Sequence, residues 1–406
     1  MVDLFLLAVR NVVRNTRRSA ITFIAVLLAV AIMLAIRGFL TGLQDSMRDM
    51  VVEGQLGAIQ VYREGYRKQV FGSPLNLAMP ADETVLQRLR DIPHVRGAGY
   101  RLRFGGMVSN GDTTVFAMLT AVDPARDLEV CPRRPEDLAS GALPAPGDPG
   151  GAVLDVELAR KLGVGAGKNA VILAADREGV LNGAEIHLTG TMSAGKLPGM
   201  EAKVGLVTLA AAQELLRMPG LATELVLGVD DLERVDEVRA RVVAVMGQGY
   251  ETAAWYESAS FVKDMIAIQN AISMVVSGIF LVVALLGVAN TMLMSVLERT
   301  REVGTMLSVG MRRRRVRLLF LVEAGLLALV GAVSGAGVAV GLVLHWRRAG
   351  LDFHVPLGFD VHLFPRLTTV AIVATVMVTC LGALLSALWP AWKASRLRPV
   401  EALAHV

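Results

Sequence analysis

The sequence predicts an α-helical membrane protein with four transmembrane helices and a large mixed α/β extracytoplasmic domain inserted between helices 1 and 2. Three observations predict it. Hydrophobic residues make up 53% of the 406-residue chain and mean hydropathy is +0.51, above what a soluble domain carries. These residues concentrate in four runs at 19–36, 271–296, 318–344 and 367–389, each long enough to cross a bilayer as a helix. Between the first two lies a stretch of ordinary soluble composition, about 52–260, in which strand and helix periods alternate.

Charge placement gives the topology. Residues 1–18 carry Arg10, Arg14, Arg17 and Arg18 against Asp3, the loop at 298–315 is strongly basic, and Lys393, Arg396 and Arg398 follow the last run. Basic segments beside spans stay on the cytoplasmic side, so both termini are expected inside and the large domain outside. The first run is long for the apolar part of a signal peptide and leads into Arg37-Gly-Phe-Leu40, so it reads as an uncleaved span. The expected organisation is a cytoplasmic N-terminus (1–18), the first span (19–40), the periplasmic domain (41–268) and the second span (269–297). A cytoplasmic helix (298–315), the third span (316–345), a periplasmic loop (346–366), the fourth span (367–390) and a cytoplasmic tail (391–406) complete it. A net charge of only +4, with its basic excess beside apolar runs, argues for membrane topology and against nucleic-acid binding.

Within the domain, Phe39, Leu40, Leu43, Met47, Met50 and Val51 continue a helical stripe beyond the first span. Phe261, Val262, Met265 and Ile266 mirror it before the second, which reads as a paired helical stalk. Alternation predicts strands at 57–63, 115–121, 185–190 and 224–228, and helices at 81–89, 155–162, 209–216 and 232–245. The strand–helix–strand–helix order over 204–245 points to a half of ferredoxin-like character, and the Pro- and Gly-rich 131–151 to a loop or subdomain boundary.

Several chemistries are excluded by spacing. Gly163-Val-Gly-Ala-Gly-Lys168 lacks the glycine at 162, which is Leu162, and the hydroxyl at 169, which is Asn169, that a P-loop needs. Asp155, His187 and Ser193 have no spacing that joins them as a nucleophile–base pair. His345, His354 and His362 fit no common zinc pattern. Cys131 and Cys380 lie in different environments, one soluble and one apolar, which argues against a disulfide. Asn270, Asn290 and Glu323 are too few polar groups to line a hydrophilic pathway through the spans. Glu323, near the end of its span and close to arginines, reads as a structural ion-pair member. Gly331, Gly335, Gly337 and Gly341 form two small-residue repeats that allow close helix packing, either between chains or against this chain's own spans.

The loop Glu298-Arg-Thr-Arg-Glu-Val-Gly304, continued to Val309-Gly-Met-Arg312, carries Val303, Met306 and Leu307 on one stripe, with Gly310 placed to end a short helix. Physics alone leaves two readings, a topology-setting basic loop or a docking helix. The segment resembles the coupling segment of FtsX-like ABC permeases, a group that includes macrolide-exporter and lipoprotein-releasing types. The opening Arg10-Asn-Val-Val-Arg-Asn-Thr-Arg-Arg18 and the tail Pro390-Ala-Trp-Lys-Ala-Ser-Arg-Leu-Arg-Pro-Val-Glu-Ala-Leu403 resemble the same family. Residues 55–66, 119–124 and 153–168 resemble its lipoprotein-releasing branch more than its exporter branch.

The resemblance implies a non-catalytic permease subunit that couples to a separate ABC ATPase dimer through Glu298, Arg299, Arg301, Glu302, Val303, Met306, Leu307, Gly310 and Arg312. It implies no cofactor on this chain, with ATP and Mg on the ATPase. A second permease copy or paralogue, membrane lipids, a lipoprotein cargo and a periplasmic carrier or adaptor are the other expected partners, in a cell inner membrane. A macrolide-exporter-like pump, an FtsX-like activator of a periplasmic partner and an ATPase-independent membrane sensor are the alternatives.

Overall fold

The structure, a computed structural model, describes residues 2–14, 16–72, 74–193, 204–355 and 359–396. Residues 356–358 of the expected periplasmic loop and 397–406 of the expected tail lie outside the described residues. The chain forms two compact units, one of Met1–Ser46, Met265–Phe353 and Val361–Val406, the other of Met47–Asp264 and His354–Asp360.

Helix α1 (Val2–Arg14) leads into the 36-residue α2 (Thr16–Val51). A single π-helical turn, Val52–Leu56, continues α2 and stops at Gly57, whose φ of 76° suits a residue without Cβ.

The extracytoplasmic unit then begins. Strands β1 (Ile59–Arg63) and β2 (Met79–Pro80) precede α3 (Glu83–Arg90), β3 (Val95–Ser109), β4 (Thr114–Val122) and α4 (Pro124–Val130). Next come β5 (Leu138–Gly141), β6 (Gly151–Asp155), α5 (Val156–Leu162), β7 (Asn169–Ala175) and β8 (Leu181–Met192). The unit continues with β9 (Val204–Thr208), α6 (Leu209–Leu215), β10 (Leu221–Ala222), β11 (Glu224–Val229), α7 (Val235–Met246), β12 (Tyr250–Ala254) and α8 (Trp255–Ser258).

Ten of these strands make one sheet, and its pairings close a ring β3–β4–β9–β6–β8–β7 that returns to β3. Strand β3 is 15 residues long because it serves two neighbourhoods. Its first half pairs with β11, and its last residues pair with both β4 and β7. Alternation puts Phe104, Leu119, Leu154, Ile172 and Leu188 into one core, joined by Leu158 of α5 and Leu215 of α6. The wing β11–β1–β12 buries Ile59, Leu225 and Leu227 with Leu86 and Leu89 of α3 and Val238 of α7. Each fully buried leucine contributes about 2 kcal/mol over exposure.

The order β9–α6–β11–α7 matches the expected alternation, but β9 and β11 are not partners. Strands β4 and β3 stand between them, so β9 belongs to the ring and β11 to the wing. The glycines at 163–167 also have structural work. Asp155 caps α5 by accepting from the Glu157 amide at 2.9 Å, Gly163 ends that helix at φ 63°, and Gly167 turns into β7 at φ 83°. A segment that follows a helix and feeds a strand is the reverse of a phosphate loop. His187 pairs with Asp148 at 2.9 Å, and Asp155 caps α5.

The membrane unit resumes with α9 (Ser260–Glu298), α10 (Thr300–Ser308) and α11 (Arg313–Ala349). Strands β13 (Leu351–Val355) and β14 (Phe359–Leu363) pair with each other, and α12 (Thr369–Ser395) follows. Helices α2, α9, α11 and α12 are long and apolar enough to cross a membrane. Their seam is built from small residues: Ala324, Ala328, Ala332 and Ala336 recur every four residues on α11, and Ala383, Ala387 and Ala391 do so on α12. In lipid such rows let backbones approach. Trp389 and Trp392 stand exposed at the end of α12, with Lys393 5.4 Å and Arg396 4.2 Å from their ring centres, as interfacial anchors do.

Candidate functional site

The segment expected to couple folds as α10, a nine-residue helix between two breaks. At its start Arg299 leaves helical geometry (φ −102°, ψ 19°). At its end Gly310, at φ 94°, donates its amide to Leu307 O at 3.1 Å, while Met311 donates to Met306 O at 2.9 Å. That bond pair is the Schellman closure, and it uses the left-handed conformation that a Cβ would penalise.

The structure divides the nine expected coupling residues into two sets. Arg299 and Val303 are buried, Leu307 packs on the helical core, and Glu298 and Glu302 are held by ion pairs. Arg301, Gly310 and Arg312 are exposed, and Met306 is half-buried. The exposed side also includes Thr305, Ser308 and Val309, the last 84% exposed. Neither Thr305, Ser308 nor Val309 is marked by sequence, because a hydrophobic stripe predicts only the inward face.

The inward set forms a charged layer. Arg18 grips Glu298 with both guanidinium nitrogens, and Arg14 pairs with Glu302. Arg299 donates from Nε to Glu302 at 2.9 Å and from Nη1 to Glu323 at 3.3 Å, with its guanidinium 5.9 Å from the Phe320 ring centre. Glu323 therefore takes the ion-pair position that its place in the span implies. Burial pushes the Glu302 carboxyl up, but hydrogen bonds from Arg299 and Arg14 outweigh it and hold the group below the ordinary range. The layer ties the end of α1 to α10, the start of α2 to the end of α9, and the start of α10 to α11.

The glycine repeats separate in the same way. A Cβ on Gly331 would stand 3.0 Å from Val26 side-chain atoms, and one on Gly335 only 2.5 Å from Leu27 O. Both face α2. Gly337 and Gly341 have nothing within 4 Å of such an atom. Gly335→Leu is therefore expected to cost about 3 kcal/mol or more through overpacking on backbone. Gly341→Leu should leave thermal unfolding of the detergent-solubilised protein unchanged, and equal melting shifts for the two would refute this division.

A second ionic cluster lies within the extracytoplasmic unit, where the π turn joins the sheet. Asp127, on α4, accepts from Arg101 Nε at 3.0 Å and Nη2 at 2.7 Å, and pairs with Arg134. All three are at least 94% buried. Arg101 Nη1 also donates to Gln55 O at 2.7 Å, Arg134 Nη2 to Gln55 O at 3.1 Å, and Arg96 to Glu53 at 2.9 Å. A helix end leaves carbonyls without partners, and here Arg101 of β3 and Arg134 of the short 3₁₀ helix Arg134–Asp137 supply donors. Burial pushes the Asp127 carboxyl up, but the two guanidinium groups win and hold it below the ordinary range. Cys131 accepts from Arg101 at 3.1 Å and is a free thiol, as is Cys380.

Asp137, beside this turn, behaves oppositely. Among the described residues its buried Oδ2 has no hydrogen-bond partner, and burial raises its carboxyl to about 6 despite Arg134 and Arg133. A raised acid is disfavoured when ionised, so its cost is absent near pH 4 and complete above pH 6. Asp137→Asn is expected to stabilise the domain by about 2 kcal/mol at pH 7.5 and by almost nothing at pH 4. Thermal unfolding across that range measures it, and a pH-independent gain would exclude this origin.

Comparison with known proteins agrees with this architecture. A MacB-like periplasmic core domain matches residues 19–247, more than half of the chain, and an FtsX-like permease C-terminal domain matches residues 274–399. The macrolide export ATP-binding/permease protein MacB of Hyphomonas neptunium is 32% identical over 207 residues, covering 50% of this chain and 30% of that protein. The chain thus spans about a third of that relative's length. The lipoprotein-releasing system transmembrane protein LolC of Xylella fastidiosa is 21% identical over 405 residues, covering 95% of this chain and 94% of LolC. The periplasmic region of MacB from Actinobacillus actinomycetemcomitans aligns with 54% of this chain and 98% of its own, at 10% identity and a TM-score of 0.37. The assignment stands on the family matches and on four spans flanking a mixed α/β insertion: the chain belongs to the FtsX/MacB/LolC-type ABC permease superfamily.

Proposed function

We propose that the chain is the non-catalytic permease subunit of an ATP-driven transporter, releasing lipoproteins or another lipophilic cargo from the inner membrane. In this reading both termini and α10 are cytoplasmic and the sheet domain is periplasmic. ATP and Mg bind a separate ATPase dimer beneath two permeases, either two copies or this chain with a paralogue. The observation that carries the reading is the two-sided α10. Its inner face is bonded to α1 through Glu302 and, with Arg299 at its start, to α11 through Glu323, and it buries Val303, while Arg301, Thr305, Ser308 and Val309 remain exposed for a soluble partner. A push on that exposed face acts on the charged layer and so, through Arg14 of α1 and the Arg18–Glu298 pair at the end of α9, on α2, one continuous helix from Thr16 to Val51. At the far end of α2, the π turn is bonded to β3 by Arg101 and to the 3₁₀ helix Arg134–Asp137 by Arg134. Mechanical coupling to a periplasmic carrier or adaptor follows from that continuity.

The lipoprotein-releasing branch is favoured because the similarity to LolC runs nearly end to end. The macrolide-exporter alternative rests on higher identity over half the chain. Mass spectrometry of what co-purifies with the tagged protein in mild detergent tests both. An ATPase with acylated lipoproteins supports release; an ATPase with an adaptor supports efflux; an ATPase with a cell-wall hydrolase supports an activator. No ATPase under several mild conditions refutes the coupling role of α10.

A further inference from the structure

Four arginines punctuate the junction of α1 and α2, and they have unequal fates. Arg14 and Arg18 are committed to Glu302 and Glu298. Arg10 and Arg17 are exposed and, among the described residues, have no carboxylate partner. Each follows directly on a residue that lines a crevice of about 360 Å³ between α1, α2 and α11, Arg10 on Val9 and Arg17 on Thr16. Its walls are Val9 and Val13 of α1, Ala20 and Phe23 of α2, and Leu326 and Val330 of α11. Arg10 follows Val9 and precedes Val13 by three residues, while Arg17 precedes Ala20 by three, so each stands at the edge of the apolar face beside it.

The shape has a physical cause. At Gly331 and Gly335 α11 lies against α2, where an added Cβ would stand 3.3 Å from Phe23 O and 2.5 Å from Leu27 O. One turn earlier α11 carries Leu326 and Leu327, and α1 occupies the third side. Ser19 Oγ donates to Val12 O at 2.9 Å and fixes the junction of α1 with α2. The crevice is therefore closed toward the middle of the span by helix contact and ends at the charged layer, where Glu323 lies three residues before Leu326. An apolar hollow at that depth, left empty, forfeits dispersion contacts on every wall. An acyl chain supplies them, and a phosphate at the layer's level meets the two unpaired guanidinium groups.

We propose that this crevice is a binding site for an anionic phospholipid of the leaflet next to α1, its acyl chain between α2 and α11 and its phosphate on Arg10 and Arg17. The lipid completes the packing of α1 on the two spans that carry the charged layer. The site would make the position of α1, and through Arg14 the seat of α10, depend on the surrounding anionic lipid.

The test uses the full chain in phosphatidylcholine nanodiscs doped with a phospholipid probe carrying a diazirine on its acyl chain. Phosphatidylglycerol and phosphatidylcholine probes are compared by mapping labelled peptides. The phosphatidylglycerol probe is expected to label residues 9–23 and 326–330 roughly ten-fold more than the phosphatidylcholine probe, and the double variant Arg10→Gln/Arg17→Gln should abolish that preference. Labelling of the exposed α12 face at Val373 and Met377 serves as the bulk-lipid reference and should be equal for both probes. Ala20→Phe, which fills the crevice, should lower labelling there by both probes. Equal labelling by the two probes, a preference that survives in the double arginine variant, or crosslinks from these residues to a second chain would each overturn the proposal. The arginine variant alters only exposed side chains, so it remains decisive if Ala20→Phe fails to fold.

Discussion

Asp127→Ala is expected to cost the extracytoplasmic domain about 3–5 kcal/mol, because it leaves two buried guanidinium groups without their shared carboxylate. Folded domains have only about 5–15 kcal/mol in hand, so much of the protein should lose ordered structure in this unit near physiological temperature. Arg101 and Arg134 also hold the Gln55 carbonyl at 2.7 and 3.1 Å. Hydrogen exchange of the full-length protein should therefore accelerate first at residues 52–56 and in α4. Asp127→Asn keeps the shape without the charge and should fall between wild type and Asp127→Ala. The folded carboxyl lies below its ordinary value, so its contribution is full above the unfolded pKa and disappears as pH falls through the folded one. The gap between wild type and Asp127→Ala should narrow accordingly in acid. A constant gap, or protection of residues 52–56 equal to wild type, would show that this cluster does not anchor the helix end.

The second large effect separates anchoring from docking on α10. Arg299→Met strips the cation from between Glu302 and Glu323, leaving a buried carboxylate unpaired at a cost of about 3 kcal/mol or more. The expected result is a lower melting temperature in detergent and loss of coupling together. Arg301→Glu combined with Val309→Asp changes only exposed side chains, so melting should move within about 0.5 kcal/mol of wild type. Stimulation of the partner ATPase should nonetheless fall roughly ten-fold or more, as loss of a central contact does at an interface. Full stimulation in this stable double variant would remove the exposed face of α10 from the proposed interface.

The four spans, the inserted domain and the short helix between the second and third spans were legible in the sequence, because each depends on local quantities. Run length against bilayer thickness identifies the spans, and the stripe Val303, Met306 and Leu307 before Gly310 identifies a short capped helix. Several strands and helices of the domain were readable by period for the same reason. Which face of α10 is free was not. That depends on Arg14 and Arg18, which lie 288 and 280 residues from Glu302 and Glu298 and carry no spacing relation to them. The two glycine repeats are alike as sequence, and only the position of α2 makes Gly331 and Gly335 contacts while Gly337 and Gly341 stay open. The Asp127 cluster and the separation of β9 from β11 were invisible for the same cause: a strand's neighbours and a buried charge's partners are set by chain closure over long distances. Sequence alone determined what each segment is; tertiary structure decided what each segment faces, because period is a property of a helix or strand and partnership is a property of the fold.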